Sequence, residues 1–158
     1  MPFGRIMLTD DDKAFLIDTA KETAEDIESK ATPLFNSISK ISSNDFNEFH
    51  DLFESIAIIF EEFGFKTMAK HTKSMQRLCH YCMNLENSKA HQKSLLLIKD
   101  FGLMLNGFTA IFSDKKALVA IRRKFDVQNV KVERLFMGEF YSMHKAQKSN
   151  KDMSKPAS

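Results

Sequence analysis

The sequence predicts an all-α protein, a bundle of three long, kinked, coiled-coil-like antiparallel helices, and three observations carry that expectation. Small and apolar residues alternate at spacings of three and four along most of the chain, the period of a helix that buries one stripe. Only five Gly and three Pro occur in 158 residues, too few to punctuate the turns of an all-β fold. Hydrophobic residues make up 43%, enough to bury a core, and fifteen Phe against two Tyr and no Trp put the aromatic rings to burial more than to hydrogen-bonded recognition. A single helical domain over residues 9–147 follows, with an N-terminal segment over 1–8 before it and a flexible basic tail over 148–158 after it.

The first helix starts near Asp10, Asp11 and Asp12, whose carboxylates favour the unpaired amides and positive dipole end of a helix N-terminus. Its seam runs Ile17, Ala20, Ala24, Ile27, Ala31, Leu34, Ile38 and Ile41, with Pro33 introducing a kink or a break. The phase slips at Ser42 to Asp45, and a second seam runs Phe46, Phe49, Phe53, Ile56, Phe60 and Phe63. Either the serines and Asn44 end one helix and cap another, or one helix carries a skip; a single bent helix over 10–63 is the expectation. Gly64 interrupts, and a shorter helix carries Phe65, Met68, Thr72, Met75, Cys79 and Cys82 up to the Asn and Ser residues over 84–88. A long third helix carries Phe101, Leu105, Phe108 and Phe112, shifts phase at Ser113 and Asp114, and continues through Leu118, Ile121, Phe125, Gln128, Val132 and Leu135.

The short polar motifs point to no enzyme. Cys79 and Cys82 flank a two-residue gap but lack the second pair that zinc requires, and both fall on the apolar seam, so they read as buried structural cysteines in a reducing, cytoplasmic setting. His50 and Glu54 are one helical turn apart, as in a di-iron bundle, yet the facing ligands are missing. No catalytic residue, metal site, cofactor or small-molecule substrate is expected. His71, followed by Thr72 and Lys73, resembles the exposed histidine of phosphotransfer bundles, which gives an alternative reading as a helical signalling or adaptor protein. No apolar run approaches the roughly 20 residues needed to span a bilayer. The segment Met1 to Leu8 reads as an interfacial wedge or as a strand of chain packed on the bundle.

Net charge is only +2, so any electrostatic role depends on distribution. Lys66, Lys70, Lys73 and Arg77 recur opposite the Phe65 to Cys82 seam, and Lys115, Lys116, Arg122, Arg123 and Lys124 form a second cluster, while acids concentrate over 10–28. Such residues read either as a solvated face or, because positive charge is segregated from the acids, as the contact for a negatively charged partner; on the second reading these nine residues are the membrane-binding candidates, each attracted to anionic lipid by about 1 kcal/mol when near the surface. Nucleic acid is not expected, because no aromatic residues interleave with the basic stripe for base stacking.

Two stretches resemble the BAR domain of sorting nexins. Phe49 to Gly64 resembles the end of that family's first helix, a Phe-led apolar run closing on a Gly turn, and Leu95 to Lys116 resembles part of its third, with Asp100-Phe101 ahead of Phe112 and Lys115. The resemblance, which lacks the family's preceding PX domain, implies a non-enzymatic homo- or heterodimer of kinked helices. Such a dimer binds curved anionic phospholipid membranes in endosomal sorting, as a peripheral protein.

Overall fold

The structure is a computed structural model and describes residues 7–146. Most of the N-terminal segment and all of the 148–158 tail lie outside the described residues. Within them the chain is all-helical, with six helices and no strand: α1 (Asp10–Asn36), α2 (Asn47–Glu62), α3 (Lys66–Asn84), α4 (Ser88–Leu105), α5 (Lys115–Met137) and α6 (141–146).

Each boundary has a local chemical cause. Thr9 and Asp12 form a reciprocal capping box at the start of α1, each side chain accepting from the other's backbone amide at 3.0 Å. Pro33 sits inside α1, which runs on to Asn36. The expected continuous helix over 10–63 is divided. Ser42 and Asp45 build a second capping box, with the Ser42 amide donating to Asp45 at 2.8 Å. The Ser43 amide and hydroxyl are tied to Glu86 and to the Leu85 carbonyl, so the break is anchored to the turn between α3 and α4. Of the two readings of the phase slip, the structure has the capped break.

The α2–α3 turn closes on Gly64, whose φ of 83° is a backbone conformation that glycine adopts without steric cost. Phe65 N donates to Phe60 O and Gly64 N to Glu61 O, the two bonds of a Schellman motif, and the Phe60 and Phe65 rings meet behind it at 6.4 Å. Asn87 caps α4 by accepting from the Ala90 amide. Asp114 caps α5 by accepting from the Lys116 amide, so the expected long third helix is likewise divided, with a 3₁₀ turn over Asn106–Ala110 before the break.

Cross-contacts give the helix directions. Lys30 with Glu48 and Phe15 with Phe63 set α1 antiparallel to α2. Gln76 with Glu54 and Lys73 with Glu61 set α2 antiparallel to α3. Gln128 with Leu97 and Lys93 with Glu139 set α4 antiparallel to α5, whereas His71 with Gln128 and Tyr81 with Phe136 make α3 and α5 parallel neighbours. Helix α1 lies along α4 at close range, since a Cβ on Gly102 would stand 3.0 Å from Ile27 Cγ2. Phe101 of α4 is the hub, touching Phe53 of α2, His71 of α3 and Phe125 of α5.

The apolar seams are the buried faces. Ala20, Ala24, Ile27 and Ala31, then Phe46 through Phe60, then Met68 through Cys82, then Phe101 through Leu135 all join one core. Ile17 and Phe63 are half-buried, and Leu16 takes the deeper place at the start of α1. Heptad spacing here serves packing within one chain.

Candidate functional site

The motifs that carry chemistry in other helical proteins are occupied by packing. Cys79 and Cys82 are fully buried, and desolvation pushes the Cys79 thiol well above its ordinary range and the Cys82 thiol to about 12, with the Ser94 hydroxyl opposing only the second shift. Thiols held in that state are weak nucleophiles. Gln76 of α3 bridges His50 and Glu54, donating to Glu54 at 3.1 Å and lying 3.5 Å from the His50 ring nitrogen. Among the described residues no cluster of three or more His, Cys, Asp or Glu side chains could hold a metal ion.

His71 is not a surface phosphoacceptor. Its ring is 3% exposed, with Nε2 at 2.5 Å from Gln128 Oε1 and Nδ1 at 3.3 Å from Asn129 Oδ1. Gln128 Nε2 donates to the Leu97 carbonyl at 2.7 Å, which fixes the Gln128 amide so that its oxygen faces the imidazole. Nε2 must therefore carry the proton. Burial holds the His71 pKa below its usual value against the raising effects of Gln128, Asn129 and the Asp126 charge. The lone pair left on Nδ1 is buried beside Asn129 inside the α3–α5 contact, out of reach of a phosphoryl donor, which corrects the exposed placement expected from the sequence.

The basic residues reach the surface, in two different settings. Lys66, Lys70, Lys73 and Arg77 are all exposed on α3, but acids of the neighbouring helices stand among them. Lys73 pairs with Glu61 of α2 at 2.6 Å, Glu61 shares a shallow surface pocket with Lys66 and Lys70, and Arg77 and Glu133 of α5 both act on Tyr81. The charge segregation read along the chain is thus partly undone by folding. Lys115, Lys116, Arg122, Arg123 and Lys124 are also exposed, and none of them makes an ion pair among the described residues.

One surface escaped the sequence reading. The antiparallel α4–α5 pair leaves an outer groove of about 430 Å³ with Leu97 and Leu135 in its lining, Lys131 and Arg134 on the α5 side, and Lys93, Leu96 and Asp100 on the α4 side. A further hollow of about 350 Å³ shares Asp100 and Lys131 with it and reaches Met104, Arg123, Lys124 and Val127. The only trace in the sequence is apolar residues off the seam: Leu96 on α4, and Val119, Val127, Val130 and Met137 on α5, all about half-exposed on the faces turned away from the core.

Comparison with known protein families, with curated proteins and with solved structures finds no match to this chain. Among the described residues no helix is long and apolar enough to cross a membrane.

Proposed function

We propose that this chain is a non-enzymatic binding module that docks peripherally on anionic membrane through the N-terminal half of α5. The observation that carries the proposal is the cluster Lys115, Lys116, Arg122, Arg123 and Lys124, exposed and without an ion pair among the described residues. At about 1 kcal/mol per cation close to an anionic leaflet, five such residues supply at most about 5 kcal/mol. That is reversible, salt-sensitive adhesion. The α3 stripe contributes less, because Glu61 already answers Lys73.

A role in endosomal sorting of the sorting nexin BAR kind is the extension of this reading, and it adds self-association. The seams that carry the resemblance are closed within one chain, so membrane contact does not depend on a rod-shaped dimer. Size in solution tests the extension: a dimer with an elongated scattering profile keeps it, and a compact monomer removes it while leaving the α5 surface in place. The membrane reading itself is tested by co-sedimentation with phosphatidylserine vesicles. Binding should weaken with added salt and fall in the triple variant K115E/K116E/R122E; unchanged sedimentation of that variant overturns it.

A further inference from the structure

We infer that the α4–α5 groove is a docking site for an acidic amphipathic helix of a partner protein. The groove is apolar at its base, where Leu97 and Leu135 lie, and Leu96 and Val127 beside it are 52% and 57% exposed. Its rim is cationic. Lys131 and Arg134 form no ion pair among the described residues, whereas Glu139 is held by Lys93 at 2.5 Å, leaving Asp100 as the carboxylate that faces the rim cations. An apolar floor with four cations, unpaired among the described residues, along its α5 edge, against one carboxylate, Asp100, on the α4 edge, is complementary to a helix with apolar anchors on one face and carboxylates along the side that meets α5. From Lys93 to Met104 the α4 wall extends about 16 Å, room for about three turns of a docked helix and for anchors one and two turns apart.

Neither the C-terminal residues nor α1 fits the groove. Residues 147–158 carry three lysines against one aspartate, so like charge opposes them. Helix α1 is acidic, but Leu16, Ala20, Ala24, Ile27 and Ala31, its apolar stripe, are already in the core, so a second copy has no apolar face on α1 to offer. The occupant is a partner's helix; the adjoining hollow reaches Arg123 and Lys124 of the membrane cluster, but Lys131 and Arg134 lie outside that cluster and Lys115, Lys116 and Arg122 line neither hollow, so substitutions can separate the two sites.

The test is fluorescence anisotropy of the full chain with a labelled synthetic peptide of about 15 residues, leucines at helical i, i+3, i+4 and i+7 positions and glutamates elsewhere. Saturable binding is expected, with amide shift changes centred on Leu96, Val127 and Lys131 in a nitrogen-edited spectrum. K131E/R134E, a change at exposed side chains, should weaken it at least about tenfold, and a peptide with lysine for every glutamate should not bind. K115E/K116E/R122E should leave peptide binding within about twofold while reducing vesicle binding. Failure of the acidic peptide to bind, equal binding of the lysine peptide, or indifference to K131E/R134E overturns the inference. So does phosphatidylserine vesicle binding abolished by K131E/R134E without peptide binding, which assigns the groove to lipid and leaves the membrane reading standing.

Discussion

Replacing Gln128 with Leu isolates a polar link that joins three helices through the core. Gln128 is 3% exposed; its oxygen accepts from His71 of α3 and its amide nitrogen donates to the Leu97 carbonyl of α4. Leu97 O loses little, because a carbonyl within α4 retains its helical partner. His71 loses more. Its Nε2 proton faces a methyl group, or the ring changes tautomer toward Asn129 and buries a bare lone pair. Leaving one buried polar atom unpaired costs about 1–3 kcal/mol, whereas removing both partners together is nearly neutral when volume is kept. Gln128→Leu should therefore destabilise by about 2 kcal/mol, and the double change with His71→Leu by less than the single change. In urea, with a slope of about 2 kcal/mol per molar for a domain of this size, the single variant's midpoint falls by about 1 M at unchanged slope, and the double variant recovers most of it. Simple additivity of the two single changes, with a coupling under about 0.5 kcal/mol, would falsify the claim that His71 and Gln128 satisfy one another.

Other expectations follow from the same packing. The His71 pKa is depressed in the fold, so the unfolded chain binds its proton first: the stability it contributes is complete above the ordinary histidine range near 6.5 and is lost as pH falls below it. Melting temperature should thus fall between neutral and mildly acidic buffer, and the fall should shrink in His71→Leu/Gln128→Leu; an identical pH profile refutes the assignment. Phe101→Ala, which empties the hub between α2, α3 and α5, should cost about 3–5 kcal/mol by urea denaturation, and a loss under about 1 kcal/mol contradicts its place in the core. Cys79 and Cys82 should react with a thiol reagent only after denaturant is added, whereas rapid labelling of the native protein contradicts their burial. Thr9→Ala, which removes half of the α1 capping box, should lower stability by about 1 kcal/mol in the same assay, and no change refutes the capping geometry.

The faces of the helices were legible in the sequence, and their ends and partners less so. Phe46, Phe49, Phe53 and Phe60 fall on one stripe because spacing alone sorts inside from outside on a helix. Ser42 to Asp45 carried the signature of a capped break, and so did Ser113-Asp114, but a phase slip in a heptad is also what a bent continuous helix shows. The choice was made by contacts far away along the chain, such as Ser43 with Glu86, which no local pattern encodes. His71 was misplaced for the same reason. A histidine among Lys70, Lys73 and Ser74 reads as surface until Gln128 and Asn129, more than fifty residues later, are brought against it.

Charge behaves differently again, because folding redistributes it without moving it along the chain. The α3 stripe was clean as a sequence pattern, and α2 supplies Glu61 to it only because the Gly64 turn folds the two helices antiparallel. Arg123, Lys124 and Lys131 of α5 line a hollow whose α4 wall supplies one carboxylate, Asp100, and none of the three forms an ion pair among the described residues. The same topology accounts for the half-exposed Leu96 and Val127. The α4 face that packs against α1, α2, α3 and α5 is used up by Leu95, Ile98, Phe101 and Leu105, so Leu96 can only point outward. An apolar residue left outside for want of room inside has no internal role to explain it. Placed beside unpaired cations at the rim of a groove about three turns long, it is the feature from which the docking of an acidic helix is proposed.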